Sequence, residues 1–156
     1  MKTQRRRRKQ AKTDYKSRLA LLKSEKPRLV VRKTNRYIIA QIVESKAAQD
    51  KVIAKVSSKD LLDSGWPKEK SGSLKSIVAA YLTGFLLVKK LKDKPKEVIL
   101  DSGLQRNIHG SRIYATLKGA IDAGLSIPHK KEALPSDERL KSNEKTSDLL
   151  KLKEKI

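Results

Sequence analysis

The sequence predicts an α/β fold in which a mixed sheet, built from an antiparallel meander plus a β-α-β crossover, carries packed helices and a basic N-terminal arm. Residues 28–43 contain two runs rich in Val, Ile and Leu that meet at a polar turn, as in a β-hairpin. Residues 73–91 place apolar side chains at three- and four-residue intervals, as in a helix, and an apolar run follows at residues 98–100. Strand, helix and strand in this order indicate a right-handed crossover.

The antiparallel part of the sheet begins with this hairpin. Its turn is Thr34-Asn35-Arg36, and Asn35 suits it because Asn tolerates the left-handed backbone of tight hairpins. A third strand is predicted at residues 51–57, with three alternate side chains on one face: Val52, Ala54 and Val56. Ser57-Ser58-Lys59-Asp60 should then break the strand and cap a short helical turn at Leu61-Leu62, and Trp66 in the next loop is expected to pack against the core.

The crossover consists of the long helix and the short strand that follows it. The helix at residues 73–91 is expected to cover the sheet, and Gly84 in its middle suggests close packing against a strand, because Gly otherwise weakens a helix by about 1 kcal/mol. The run Val98-Ile99-Leu100 is typical of a buried parallel strand.

The remaining chain predicts a second helix and shorter elements. Ser111 is expected to cap a helix that ends at Gly124, with four side chains facing inward: Ile113, Leu117, Ala120 and Ile121. Residues 127–135 should be extended, and a short helix should begin at Ser136. Residues 147–156 alternate charged and leucine residues, which leaves open a docked amphipathic helix or a disordered tail.

Charge divides the chain unevenly. The 156 residues carry a net charge of +21, and residues 1–36 hold 15 Lys or Arg against only Asp14 and Glu25. We therefore predict a basic arm at residues 1–26 with a short helix from Asp14 to Leu22, an α/β domain at 27–140, and a charged tail at 141–156. Such a balance points to a polyanionic partner.

Several functional classes are poorly supported by the sequence. No apolar run approaches a membrane span and no secretory signal is visible, so a soluble, unsecreted protein without a membrane partner is expected. The chain has no Cys and two isolated His residues, which do not make a zinc site. His109 is expected to be a hydrogen-bonding loop residue. We expect no cofactor and no small-molecule substrate.

Two aspartates, Asp101 and Asp122, are the candidate residues for catalysis. Asp101-Ser102-Gly103 resembles the short signature of aspartic proteases, but the chain has no second copy, so a turn at the end of a strand is expected. A metal-dependent nuclease acting on structured RNA is the alternative function, because such enzymes use clustered carboxylates and Asp101 with Asp122 is the nearest pair. Both are more simply interpreted as surface groups, so no catalytic or metal residue is predicted.

Binding of nucleic acid is the favoured function. The run Arg5 to Lys9 is either an import signal or solvated tail, or an arm that becomes ordered against phosphates. Six aromatic residues are few for a surface that stacks single-stranded bases. Structured RNA, bound through phosphates and 2′-hydroxyls, therefore fits better than duplex DNA read by sequence. Nonspecific packaging of nucleic acid stays open.

Six short motifs can be compared with known families: Pro27 to Gln41, Gly65-Trp66, Ala80 to Gly84, Leu100 to Leu104, Leu117 to Leu125 and Ile127 to His129. Together they resemble the archaeal and eukaryotic branch of the 5S rRNA-binding large-subunit ribosomal proteins. The resemblance implies a non-enzymatic constituent of the large ribosomal subunit, cytoplasmic and located in the central protuberance. It implies three partners: 5S rRNA, large-subunit rRNA and a neighbouring 5S-binding protein called L five in bacteria. The chain lacks the long C-terminal extension of the eukaryotic members, which favours an archaeal source.

The same resemblance implies which residues face RNA. In the arm they are Arg5, Arg6, Arg7, Arg8, Lys9, Lys12, Lys16 and Arg18. In the hairpin they are Arg28, Arg32, Lys33, Thr34, Asn35, Arg36 and Gln41. Beyond the sheet they are Ser57, Ser58, His109 and Arg112, with Gly110 in the same loop.

Overall fold

A mixed sheet forms one layer of the molecule. The computed structural model describes residue 3 and residues 5–46, 49–141 and 148–154. Within these ranges the strands are β1 (Arg28–Lys33), β2 (Ile38–Lys46), β3 (Gln49–Ser57) and β4 (Ile99–Asp101), in the order β3-β2-β1-β4. β2 pairs antiparallel with β1 and β3, and β4 pairs parallel with β1. The predicted α/β fold with a mixed sheet is confirmed.

Helices flank this sheet and precede it. They are α1 (Arg6–Lys9), α2 (Tyr15–Lys23), α3 (Ile77–Lys89), α4 (Arg112–Asp122) and α5 (Asp137–Lys141). 3₁₀ turns lie at Ser58–Leu61, Lys68–Ser73, Lys131–Ala133 and Asp148–Glu154. The long helix predicted at residues 73–91 is thus shorter at both ends, and residues 127–135 are not extended throughout. None of the helices in the described ranges is long and apolar enough to cross a membrane.

The two faces of the sheet differ in what covers them. Along β1, Leu29 and Val31 point into the core, where they join buried residues of α3 and α4. Successive side chains of a strand point to opposite faces, so Arg28, Val30 and Arg32 lie on the other side. We call these the inner face and the outer face. The hydrophobic core lies on the inner face, whereas the outer face carries Arg28 and Arg32.

A β-bulge changes the expected pattern of the third strand. Ile42 pairs with Ala54 but Val43 pairs with Val52, which leaves Ile53 as an extra residue on β3. Val52 is 49% exposed while Val56 is fully buried. The prediction that Val52 shares the buried face of Val56 was therefore wrong, because the extra residue reverses the alternation.

Two glycines bring α3 and α4 into close contact. A Cβ on Gly84 would lie 2.0 Å from the carbonyl oxygen of Thr116, and a Cβ on Gly119 would lie 2.0 Å from that of Tyr81. Neither distance is possible for a real side chain. Close packing at Gly84 was predicted, but its partner is the backbone of a helix and not a strand.

The hairpin turn is closed by hydrogen bonds of Thr34 and not by the expected left-handed backbone at Asn35. The loop is four residues long, because Lys33 pairs with Ile38. Thr34 Oγ1 accepts from the backbone N–H of Tyr37 at 2.9 Å and donates to its carbonyl at 2.8 Å. In the described part of the chain, the non-glycine residues with positive φ are Ala11 and Glu25. Asn35 does not adopt the left-handed backbone, because this longer loop does not need it.

Two further elements pack on the core. Trp66 is buried, as predicted, and its Nε1 donates to the carbonyl of Lys70 at 3.1 Å. In the C-terminal tail, Leu149 and Leu152 are also buried in the core cluster. Of the two alternatives for this tail, residues 148–154 follow the docked one, as a 3₁₀ turn and not an α-helix.

Candidate nucleic-acid interface

The basic residues of the arm are presented by two helices. The side chains of residues 5–9, Lys12 and Lys16 are exposed. Asp14 begins α2 by accepting hydrogen bonds from the backbone N–H groups of Lys16 and Ser17. The guanidinium of Arg5 lies 4.9 Å from the ring centre of Tyr15, which links the two helices.

The hairpin ends in an exposed polar tip. Lys33, Thr34, Asn35 and Arg36 are all exposed, and Lys75 Nζ donates to the carbonyl of Asn35 at 3.1 Å. The strands behind the tip are held in register by buried Val31 and Ile38. The tip therefore projects cations and amide groups from a rigid base.

Arginines and aspartates alternate in space along the outer face. Arg18 of α2 pairs with Asp50 at 2.9 Å, and Asp50 pairs with Arg28 at 2.9 Å. Arg28 also pairs with Asp101 at 3.0 Å, and Asp101 pairs with Arg32 at 2.8 Å. We call Arg18, Asp50, Arg28, Asp101 and Arg32 the ionic chain. It connects the arm to three strands of the sheet.

Arg28 is the buried centre of the ionic chain. Only 2% of the residue is exposed, and its Nη2 also donates to Ser45 Oγ at 2.9 Å. Its guanidinium is thus occupied by internal partners. Burial opposes ionisation of Asp50, but hydrogen bonds from Ser45 and Arg18 and the nearby arginine charges prevail and lower the pKa of Asp50 below its ordinary value.

Asp101 is the second acid of the ionic chain and not a surface group. The residue is 6% exposed, which overturns the interpretation made from the sequence. Its Oδ1 also accepts from the backbone N–H of Gly103 at 3.0 Å, so Asp101-Ser102-Gly103 is the expected turn at the end of a strand. Asp101 fixes two arginines and a loop at once.

Arg32 lies at the end of the ionic chain and is half exposed. Its Nη1 donates to the carbonyl of Asp101 at 2.7 Å and to that of Val31 at 2.9 Å, while 40% of the side chain is open to solvent. Gln41 lies on the same face with a half-buried side chain and pairs across strands with Lys55. These side chains form the accessible part of the outer face.

The two serines after β3 perform structural tasks. Ser58 is fully buried and its Oγ accepts from the N–H of Ile38 at 3.1 Å. Ser57 forms a reciprocal capping box with Asp60. A cap in this segment was predicted, but the turn that it begins covers Ser58–Leu61 and not Leu61-Leu62. The hydroxyl of Ser58 is turned inward.

A basic cleft lies beside the tip, at the start of α3 and α4. Its volume is about 490 Å³. Four cationic residues line it: Lys33, Arg106, Arg112 and Arg139. His109 is exposed in the same loop but is not one of the lining residues. We call this site the basic cleft.

Sequence reasoning missed Arg106 and Arg139 as companions of Arg112. Arg106 lies in the loop that was already considered for His109, so its charge was an available signal. Arg139 comes from α5, far along the chain, and a Cβ on Gly110 would lie only 3.0 Å from its Nη1. Nothing in the sequence indicated that approach.

The carboxylates weighed for a nuclease are held by different partners. Asp122, at the end of α4, accepts from Tyr81 Oη at 2.7 Å, whereas Asp101 pairs with arginines. Burial and this hydrogen bond raise the pKa of Tyr81 above its ordinary value. Among the described residues, no group of three or more His, Cys, Asp or Glu could hold a metal ion.

Comparison with known proteins identifies relatives along most of the chain. Residues 1–96 and 88–130 match the family described as "Ribosomal large subunit proteins 60S L5, and 50S L18". The chain is 49% identical over 150 residues to "Large ribosomal subunit protein uL18" of Korarchaeum cryptofilum, which covers 96% of this chain and 75% of the relative.

Two further relatives carry the same name. The protein of Methanospirillum hungatei is 47% identical over 137 residues, covering 87% of this chain and 76% of the relative. That of Aeropyrum pernix is 44% identical over 138 residues, covering 87% of this chain and 63% of the relative. The resemblance drawn from the sequence motifs is confirmed, including its archaeal character.

Proposed function

The chain belongs to the family of large-subunit ribosomal proteins that includes 60S L5 and 50S L18, and from this membership we propose that it binds 5S rRNA. In this proposal it attaches 5S rRNA to the large-subunit rRNA in the central protuberance. A neighbouring 5S-binding ribosomal protein, L five in bacterial naming, is its protein partner there. The role is structural and involves no catalysis.

The observation that best supports RNA binding is the distribution of cations. More than half of the net charge of +21 lies in the first 36 residues. The arm and the hairpin tip expose most of the described cations in this part of the chain, and the basic cleft lies directly beside the tip. Together the three surfaces provide a basic region for a polyanion with a folded shape.

The geometry divides the expected RNA-facing residues into two groups. The first group, offered as RNA contacts, contains the arm residues other than Arg18, Lys33 to Arg36 of the tip, Gln41, His109, Arg112 and the open side of Arg32. Arg18, Arg28, Ser57 and Ser58 are engaged with protein partners, so we assign them to positioning. In this assignment Arg28 holds the outer face in place and does not itself meet phosphate.

Selective binding is the direct test. Purified protein is titrated with 5S rRNA and with a random-sequence RNA duplex of the same length at about 0.15 M salt. The proposal expects clear preference for 5S rRNA. Equal affinity for the two RNAs would instead support nonspecific packaging, and cleavage of 5S rRNA in magnesium that is lost in Asp101→Asn would support the nuclease alternative.

The arm provides a second, independent measurement. Deletion of residues 1–12 removes six cations that the sequence assigns to RNA, Arg5 to Arg8, Lys9 and Lys12. Each phosphate contact contributes about 0.7–0.9 to the slope of log affinity against log salt, so the slope should fall by up to about 5. An unchanged slope would mean that the arm contacts something other than 5S rRNA.

A further inference from the structure

The basic cleft combines features that a simple phosphate contact does not require. It lies where the end of β1 meets the first residues of α3 and α4, and the loop between β4 and α4 forms a further wall. Its volume of about 490 Å³ is within the range of about 300–1,000 Å³ that suits small organic ligands. The cleft can therefore enclose a group larger than one phosphate.

One part of the lining favours an anion. Lys33, Arg106, Arg112 and Arg139 contribute cationic groups, and none of the described lining residues is Asp or Glu. This differs from the cavity beside α2, of about 300 Å³, where Asp14 and Asp101 are among the lining residues. The basic cleft has the electrostatic character of a phosphate site.

Two buried polar atoms point to the position of that anion. Across the described residues, Ser111 Oγ and Arg112 Nε are the buried side-chain atoms that have no hydrogen-bond partner. Both residues line the cleft, at the beginning of the 11-residue helix α4. Ser111 also caps no backbone N–H, unlike Ser76 at the start of α3. Buried polar atoms are normally satisfied, so these two donors suit a ligand oxygen.

The other part of the lining is apolar and open. Leu104 is 54% exposed and Ile108 is 57% exposed, and both lie in the loop that borders the cations. Large apolar side chains this exposed and next to a basic surface are suited to the face of a planar ring. A nucleobase removed from its stack presents such a face.

We propose that the basic cleft binds one unstacked nucleotide of an RNA, with its phosphate at Ser111 and Arg112 and its base against Leu104 and Ile108. The inference rests on the proposed RNA-binding function and adds a specific form of contact to it. Lys33 connects the cleft to the hairpin tip, so the nucleotide belongs to the same RNA that the tip contacts. The cleft would thereby recognise a bulged or looped nucleotide and not a regular helix.

Nucleotide titration of the isotopically labelled full-length protein tests the two halves of the cleft separately. Uridine and adenosine 5′-monophosphates, uridine, and inorganic phosphate are added at about 0.15 M salt while amide and methyl NMR signals are recorded. Both nucleotides should shift the amides of Ser111 and Arg112 and the methyls of Leu104 and Ile108, saturably. Phosphate should shift the amides alone. Identical shifts and affinities for phosphate and nucleotides would overturn the proposal, as would no saturable shift at these residues.

Alanine variants of two exposed isoleucines, one in the cleft and one outside it, test the contact with the base in full-length 5S rRNA. Ile108→Ala should weaken binding of 5S rRNA about fivefold, because it removes methylene contacts with the base. Ile53→Ala is the control, since Ile53 is 45% exposed on the β3 bulge and away from the cleft lining. Equal affinities of the two variants would overturn the nucleotide site but leave 5S rRNA binding intact. If wild-type protein fails to prefer 5S rRNA yet binds nucleotides as described, the proposed function fails and the site stands.

Discussion

The ionic chain and the basic cleft are both rich in arginine, but they differ in where the acids lie. In the ionic chain Asp50 and Asp101 stand between three arginines, and Arg28 is buried at its centre. In the basic cleft no described lining residue is acidic, and Ser111 Oγ and Arg112 Nε are buried without a hydrogen-bond partner. Arginine joins strands in the first region and lines an open cleft in the second.

The contrast shows that a count of cations does not locate an RNA-binding surface. Arg28 and Arg112 are the same residue type within the same basic protein, yet only Arg112 borders an open cleft. A buried arginine without its carboxylates would be costly, so the acids of the ionic chain should control stability. Charges in the cleft should control binding.

Removal of Asp101 should have the largest effect. Asp101→Ala leaves buried Arg28 with Asp50 and Ser45 only and releases Arg32 and the turn at Gly103. Removing one partner of a buried pair costs about 3–5 kcal/mol, and the surviving partners place the expected loss near 3 kcal/mol. Urea unfolding at pH 7 measures the change in the free energy of unfolding.

The control for this variant is Asp93→Ala. Asp93 is exposed in the loop after α3, and surface substitutions of this kind usually change stability by less than about 0.5 kcal/mol. If Asp101→Ala were no more destabilising than Asp93→Ala, the ionic chain would not be a stabilising device.

Neutralisation of the basic cleft should have the next largest effect, and on binding instead of stability. Arg106→Gln with Arg112→Gln removes two cations from a lining without acids. We expect 5S rRNA affinity at about 0.15 M salt to fall about tenfold and the salt slope to fall by about 1.5 to 2. Filter binding at several salt concentrations measures both quantities, and unfolding should change by less than about 0.5 kcal/mol.

A charge-preserving pair controls the neutralisation. Arg106→Lys with Arg112→Lys keeps both charges but loses the planar fork that binds phosphate with two hydrogen bonds. This variant should retain the salt slope of the wild type while losing part of its affinity. A slope as low as that of the glutamine pair would contradict the role of charge in the cleft.

Much of the fold could be predicted because local patterns determined it. The hairpin, the crossover helix and strand, a cap at the end of β3 and Trp66 follow from periodicity and turn chemistry. Ser111 was also expected to cap a helix, but its side chain makes no cap hydrogen bond. The errors arose where long-range packing prevailed. The β3 bulge places Val52 on the opposite face of the sheet from Val56. Gly84 contacts the backbone of α4, which can come this close because Gly119 on α4 also lacks a side chain. No single stretch of sequence contains either fact.

The candidate site could be predicted only in part, for a related reason. Exposure of the arm and of the hairpin tip follows from composition, and the sequence drew attention to Arg112, which lines the basic cleft. The sequence did not show that Arg28 is buried and Arg36 exposed. Arg28 is buried because it pairs with Asp50 and Asp101, which lie 22 and 73 positions away from it in the chain. The basic cleft was also hidden, since Lys33, Arg106 and Arg139 meet only in three dimensions.

A comparison of Arg32 with Arg36 can separate the stabilising role of arginine from its RNA-binding role within one hairpin. Arg32 belongs to the ionic chain but is 40% exposed, whereas Arg36 is exposed at the tip. Arg32→Ala should reduce stability by about 1 kcal/mol, a value discounted for solvent exposure, and should also weaken RNA binding. Arg36→Ala should weaken binding alone. Unfolding curves and a nuclease footprint of 5S rRNA compare them, and equal stability losses would remove the distinction.

The smallest effect expected is at Asp50, and its pH dependence identifies the cause. Its carboxylate joins Arg18 to Arg28, but 34% of the side chain is exposed, so Asp50→Asn should cost about 0.5–1 kcal/mol at pH 7. The folded state lowers the pKa of Asp50, so its ionised form stabilises the fold above the unfolded value of about 3.9. The difference between wild type and variant should persist from pH 7 to about 5 and shrink as pH falls below about 4. The coupling free energy between Arg18→Gln and Asp50→Asn should decrease over the same pH range. A difference in unfolding free energy between wild type and Asp50→Asn that stayed constant down to pH 3 would show that the charge of Asp50 does not hold the arm to the sheet.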